Sequence, residues 1–369
     1  MIIVADNTIP FLKGVIEPLG EVRYIPSSQF TAEAVQNADV LIVRSIDKCT
    51  PSILEGSRVK LITTATIGFD HIDTRYCEAA GISWKNAPGC NARSVGEYVL
   101  ACLVTLSLRT NEPLTNKTLG IVGLGHVGRE VEALCTAYGM RILCNDPPRA
   151  EKEGGDGFVS LDTLAREADI ITFHTPLNRE GKHPTYHLLD TPFVQRLEKK
   201  PWLINSCRGA VHDTSALLYG LEKGKINQLI LDCWENEPHI SAELLAQTAI
   251  ATPHIAGFSA DGKANATRIC LEEISRFFQI PIDRIGQVQP EAPANPFIDL
   301  SAFPTNRVEQ AILSCFNPLP VDLSLRQEKE DFELFRKNYN YPREFKAYTV
   351  LNALPEEAVL LGRLGFNLR

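Results

Sequence analysis

The stretch Gly123-Leu124-Gly125-His126-Val127-Gly128 constrains this chain more than any other. It follows the apolar, β-branched run Leu119–Val122 and precedes Arg129–Tyr138, a stretch with helical spacing. A strand, a glycine turn and a helix in that order form the first unit of a parallel sheet. Gly123 permits the tight turn, Gly125 lets the backbone approach a pyrophosphate, and Gly128 lets the helix pack against the strand. The helix N-terminus then offers unpaired N–H groups to phosphate oxygens. The next strand leads to Asp146, eighteen residues past Gly128. A carboxylate there accepts hydrogen bonds from both ribose hydroxyls and repels a 2′-phosphate. The pattern predicts NAD rather than NADP as cofactor.

The same rhythm runs along most of the chain. Ile2–Ala5, Val40–Val43 and Leu61–Thr64 precede the glycine turn; Arg141–Cys144, Ile170–His174, Leu203–Asn205, Leu229–Asp232 and Ile250–Thr252 follow it. Short apolar strands separated by helical spacing predict an α/β fold with a doubly wound parallel sheet. Ser94-Val95-Gly96-Glu97 has the spacing of a capping box and predicts Ser94 as the N-cap of a buried helix over Tyr98–Leu108. Gly262–Ile280 reads as another helix, stopped by Pro281. Gln287–Pro296 reads as a proline-rich linker, and Arg326–Asn338 as one charged helix in a tail of different character.

Composition narrows the function. The 369 residues carry 37 Lys and Arg against 45 Asp and Glu, a net charge of −8, which disfavours nucleic acid and anionic membrane as partners. No apolar run has the length of a membrane span, and the opening Met1–Asp6 reads as a first strand rather than a leader, so a cytoplasmic location is expected. The ten cysteines are scattered with no Cys-x-x-Cys pair, which predicts buried free thiols. His183 and His187 are four apart, but Pro184 disfavours a helix between them, so no metal site is expected.

Three residues downstream of the cofactor loop carry chemistry. Arg208 follows an apolar strand, where a doubly wound sheet binds ligands, and its planar fork suits a carboxylate. Glu237 and His254 also lie just past strands. Oxidation of an alcohol needs a base for the hydroxyl proton while hydride leaves carbon, and a histidine oriented by a carboxylate fills that role near neutral pH.

Together, Gly123–Gly128, Asn145–Ala150, Phe173–Leu177, Arg208-Gly209, Glu237-Pro238, Ala87–Ala92 and His254–Ser259 resemble the D-isomer-specific 2-hydroxyacid dehydrogenases. The resemblance implies a Rossmann domain (96–257) inserted in a flavodoxin-like substrate domain (1–95 and 258–285). A small C-terminal α+β domain (286–369) would form a homodimer. It implies Arg208, Glu237 and His254 as the catalytic set, with His254 as acid/base. His126, Val127, Asp146, Thr175, Ser206, Cys207, Arg208, Asp232 and Gly257 would contact NAD. Ser45, Thr66 and Phe258 would contact a small phosphorylated hydroxy acid, with Arg44 placed to help hold a phosphate. Where the family has Tyr, this chain has Phe258; where Val is common it has His212; and Phe69 replaces a usual Thr. The alternatives are another 2-hydroxy acid, such as 3-phosphoglycerate, and an NAD(H)-sensing corepressor-like module.

Overall fold

A computed structural model describes residues 1–281, 283, 286–328 and 331–369. The chain divides into two compact units, Met1–Asn91 with Ser259–Glu291, and Ala92–Phe258 with Ala292–Arg369. The expected domain boundary at residue 285 lies outside the described residues.

The first unit is built on five parallel strands in the order β2-β1-β3-β4-β5, a flavodoxin-like arrangement. These are β1 (Ile2–Asp6), β2 (Glu21–Ile25), β3 (Val40–Val43), β4 (Leu61–Thr64) and β5 (Ser83–Lys85). The sequence pattern found β1, β3 and β4 and missed β2 and β5. Both missed strands lie at sheet edges and keep exposed or half-exposed positions, so neither shows a continuous apolar run. The helix expected at Gly262–Ile280 spans Ala260–Phe278. Ser259 caps it, accepting from Gly262 N at 2.8 Å. It ends at Gln279, whose φ of 55° is left-handed, two residues before Pro281.

The second unit holds six parallel strands in the order β11-β10-β9-β8-β6-β7. They are β6 (Thr118–Val122), β7 (Arg141–Asn145), β8 (Ile170–Phe173), β9 (Trp202–Asn205), β10 (Gln228–Leu231) and β11 (Ile250–Ala251). Outside β7, Phe158 forms a single parallel bridge to Cys144 in place of a further strand. The connections leave β6 toward β7 on one side and resume at β8 on the other. That reversal puts a crevice at the carboxyl ends of β6 and β8, the usual ligand position in such sheets.

The helix after the first unit spans Ala92–Thr110 and is buried along most of its length. The capping box expected at Ser94 and Glu97 does not form, because the helix begins before it. Ser94 Oγ instead donates to Ala256 O at 2.9 Å. Glu97 pairs with Arg93 at 2.6 Å and accepts from Phe345 N at 3.0 Å. The S-x-x-E spacing thus served two buried interior contacts.

The tail carries three short parallel strands, β12 (Phe297–Asp299), β13 (Thr349–Leu351) and β14 (Asn367–Leu368). Ile298, Ile312, Phe345, Val350 and Leu361 join the apolar core around the Ala92–Thr110 helix. The single helix expected over Arg326–Asn338 is two: Pro318–Gln327 and Phe332–Asn338, with Glu328 at φ −133° leaving helical geometry. Residues 329 and 330 lie outside the described residues. All ten cysteines are buried free thiols. Among the described residues no helix is long and apolar enough to cross a membrane.

Candidate active site

The glycine turn follows β6 directly, and Gly125 caps the His126–Ala137 helix. Two glycines are required by close approach. Gly123 has φ of 89°, and a Cβ there would lie 2.8 Å from His174 O; a Cβ on Gly128 would lie 2.1 Å from Gly123 O. A Cβ on Gly125 would meet open space, so its exposed backbone leaves room for a ligand. Arg129 N is the first amide of that helix to find an intrahelical acceptor, Gly125 O at 3.1 Å, which leaves the amides of His126, Val127 and Gly128 for a ligand. Asp146 sits at the end of β7. Its Oδ2 accepts from Leu124 N at 2.8 Å and its Oδ1 from Arg149 N at 3.1 Å, which locks the glycine turn to the second strand. Each oxygen keeps a lone pair for a ribose hydroxyl. Beside the crevice, Thr175 Oγ1 and Ser206 Oγ are buried without a partner. An open glycine, unpaired first-turn amides, a ribose-directed carboxylate and orphaned hydroxyls fit a bound dinucleotide.

Arg208 lies past β9 and is exposed; its Nη1 folds back to donate to Cys207 O at 2.7 Å. No carboxylate among the described residues pairs with it, which leaves most of its donors for a ligand anion. Its loop is held by Asn205. Asn205 Oδ1 accepts from Cys207 N at 3.1 Å, and its Nδ2 donates to Arg208 O at 2.9 Å and lies 2.8 Å from His212 Nδ1. Gly209 next to it is pressed on Trp234: a Cβ there would lie 1.8 Å from Trp234 O.

Glu237 and His254 meet. His254 Nδ1 lies 2.7 Å from Glu237 Oε2, and Glu237 Oε1 accepts from Trp234 N at 2.7 Å. Burial pushes the Glu237 carboxyl upward, but the hydrogen bond and charge of His254, the Trp234 amide and the Arg336 cation together hold it below the ordinary carboxylate range. In the neutral ring, Nδ1–H donated to Glu237 leaves Nε2 of His254 with the free lone pair. His254 has a left-handed backbone, φ of 57°, and its N donates to Asp232 O at 2.8 Å.

Asp232 is fully buried and organises that turn. Its Oδ1 accepts from Thr252 Oγ1 and Ile255 N, both at 2.7 Å, and its Oδ2 from Ala256 N at 3.0 Å. Gly257 follows this turn, and Phe258 N closes on Ile255 O at 2.7 Å. Cys233 Sγ comes within 4.8 Å of ligand atoms of Glu237 and His254, yet those two are already bonded to each other. His183 and His187 go to separate carboxylates, Glu151 at 3.0 Å and Glu235 at 2.7 Å.

In the first unit, Ser45 is exposed in the turn after β3. Asp47 Oδ2 accepts from Arg44 N at 2.7 Å, and Arg44 Nη1 reaches Thr8 Oγ1 at 2.7 Å. Thr66 follows β4; its hydroxyl donates to Gly68 O at 2.8 Å and lies 2.7 Å from Thr64 Oγ1. Arg44 and Ser45 therefore lie at the carboxyl end of β3 and Thr66 at that of β4, its neighbour in the sheet.

Sequence reasoning did not connect the tail to this site. The ring of Phe258 lies against Tyr339 and Tyr341, with centroids 6.3 and 5.8 Å away, and Arg336 stands 5.8 Å over the same ring. The only signal for these residues was an aromatic and basic run with no motif spacing.

Residues 105–256 match the family described as D-isomer specific 2-hydroxyacid dehydrogenase, NAD binding domain. The chain is 50% identical over 367 residues to the erythronate-4-phosphate dehydrogenase of Porphyromonas gingivalis, covering 99% of this chain and 100% of the relative. It is 40% identical to that of Edwardsiella ictaluri, with 100% of both chains covered. Among solved structures it is similar to the D-lactate dehydrogenase of Aquifex aeolicus complexed with NAD and lactic acid. That match has a TM-score of 0.60 and 26% identity, and covers 79% of this chain and 100% of that one. The apo D-lactate dehydrogenase of Escherichia coli shares the fold, with a TM-score of 0.62 at 24% identity, over 76% of this chain and 97% of that one.

Proposed function

Because this chain belongs to the erythronate-4-phosphate dehydrogenase family, we propose that it oxidises 4-phospho-D-erythronate at C2 to 2-oxo-3-hydroxy-4-phosphobutanoate with NAD, in the biosynthesis of pyridoxal 5′-phosphate. The observation that carries the chemistry is the His254–Glu237 hydrogen bond at 2.7 Å. His254 Nε2 takes the C2 hydroxyl proton, and Glu237 stabilises the imidazolium that forms. Arg208 takes the substrate carboxylate in its fork and draws electron density from the reacting carbon. NAD, which the glycine turn and Asp146 would hold, would supply the acceptor for the hydride from C2.

The cofactor contacts in this reading are Gly123, Gly125, His126, Val127 and Gly128 for the pyrophosphate and Asp146 for the ribose. Thr175, Ser206, Cys207, Arg208, Asp232 and Gly257 line the remainder. Asp232 acts chiefly by holding the turn that carries His254. Ser45 and Thr66 contact the substrate, with Arg44 available to its phosphate. Phe258 contributes a ring face without a hydroxyl. The protein is a cytoplasmic homodimer joined through residues 286–369; a monomeric mass in light scattering would remove that part of the reading.

The test is nicotinamide reduction by purified protein offered 4-phosphoerythronate and 3-phosphoglycerate separately, with a 2-oxo acid in a parallel assay to reoxidise retained NADH. Selective turnover of 4-phosphoerythronate supports the reading. Preference for 3-phosphoglycerate keeps the chemistry and changes the substrate. NADH binding without turnover of either makes the protein a sensor.

A further inference from the structure

Arg336 belongs to the tail helix Phe332–Asn338, far in sequence from every residue assigned to the reaction. Its guanidinium lies 5.8 Å over the Phe258 ring. Its charge also reaches the Glu237 carboxylate. Yet Glu237 is not its hydrogen-bond partner: the two Glu237 oxygens are taken by His254 Nδ1 and Trp234 N. No other carboxylate among the described residues pairs with Arg336. Its Nε is buried and has no acceptor at all. A buried donor on a charged group without a partner is costly, and such a group in a folded protein calls for an explanation.

The charge balance of the site supplies one. Glu237 and Glu235, both held below the ordinary carboxylate range, bring negative charge to this end of the sheet, and the dehydrogenase reading gives the substrate two cations, Arg208 for its carboxylate and Arg44 for its phosphate. A phosphorylated 2-hydroxy acid arrives with a carboxylate and a phosphate of about −1.5 to −2 charge, which together exceed what two arginines neutralise. We propose that Arg336 is a substrate-binding residue, donating from its guanidinium to an anionic oxygen of the bound hydroxy acid. Phe258 fixes the guanidinium plane by stacking, which leaves the N–H edge directed outward for an oxyanion. The tail is then part of the active site and not only an accessory to it. Phosphate and carboxylate offer Arg336 the same chemistry, and the experiment separates them.

This inference rests on the dehydrogenase reading. The experiment is steady-state kinetics of full-length wild-type, Arg336→Gln and Arg336→Lys protein with 4-phosphoerythronate and with unphosphorylated erythronate. NADH affinity is followed by fluorescence alongside. Arg336→Gln is expected to raise KM for 4-phosphoerythronate about 10- to 100-fold, the loss of a charge-assisted hydrogen bond. Its kcat and NADH affinity should stay within a few-fold, and Arg336→Lys should recover part of the loss. A rise confined to the phosphorylated substrate assigns the phosphate; an equal rise for both assigns the carboxylate. Unchanged KM for both substrates overturns the proposal. So does an equal loss of NADH affinity and melting temperature in both variants, which would make Arg336 a packing residue. Wild-type protein inactive on every hydroxy acid would instead defeat the dehydrogenase reading itself.

Discussion

Glu237 holds His254 with one oxygen and its own loop with the other: Oε2 lies 2.7 Å from His254 Nδ1 while Oε1 accepts Trp234 N at 2.7 Å. The carboxylate cannot swing away from the imidazole without losing its second bond. The ring tautomer and its direction are therefore set before any substrate arrives.

Replacing His254 by Ala is expected to lower kcat by roughly 10²- to 10⁴-fold, the usual worth of a positioned general base. Glu237→Gln keeps the shape but can present its NH₂ to Nδ1 and so favour the wrong tautomer; a fall of similar size follows from that. Both variants should bind NADH within a few-fold of wild type. Stopped-flow hydride transfer at wild-type speed in His254→Ala would remove it from the reaction.

Asp146→Ser should relax the choice of nucleotide. In the proposed reading the carboxylate would repel a 2′-phosphate, and its removal would also lose the bonds it would make to the ribose. The ratio of kcat/KM for NAD over NADP is expected to fall by about tenfold or more, corresponding to about 1.4 kcal/mol. An unchanged ratio would show that something other than Asp146 discriminates.

Gly209→Ala would place a methyl group 1.8 Å from Trp234 O, against backbone that is itself tied to Glu237. The loop that carries Arg208 must shift. A destabilisation of roughly 1–3 kcal/mol is expected from overpacking, with a raised KM for the hydroxy acid. A melting temperature and KM equal to wild type would mean that the loop relaxes freely.

His212 supplies a pH-dependent term. It is fully buried, and burial pushes its pKa down to about 4. Between pH 6.5 and about 4 the unfolded chain binds the proton and the folded protein does not. Stability from this group is therefore complete above pH 6.5 and is lost as pH falls through that window, by about 2 kcal/mol at pH 5. His212→Val should flatten the acid side of the stability curve while losing the contact with Asn205 Nδ2 at 2.8 Å. Denaturant titrations at pH 5 and 7 measure it. Parallel curves for variant and wild type would mean that His212 does not titrate in this range.

Much of the architecture was legible because its signals are local. Buried parallel strands must be short apolar runs, and β1, β3, β4 and the six strands of the second sheet announce themselves that way. The glycine turn is equally local: Gly123 needs a positive φ and Gly128 has no space for a side chain, so composition reports backbone geometry. The edge strands β2 and β5 were silent because half of each faces solvent. The spacing of Ser94 and Glu97 misled because a capping box and two inward-facing polar residues are written alike.

What the sequence by itself determined was the fold class, the cofactor loop and the residue types at the strand ends. These depend on backbone conformation and hydrophobic period, which act over a few residues. Only the tertiary structure decided which of those residues touch. It joined His254 to Glu237, made Asp232 the organiser of the turn between them, and set Asn205 and His212 behind Arg208. It also brought Arg336, Tyr339 and Tyr341 of the tail against Phe258. Those contacts follow from how helices and sheets pack, and packing is a property of the whole chain that no local spacing encodes.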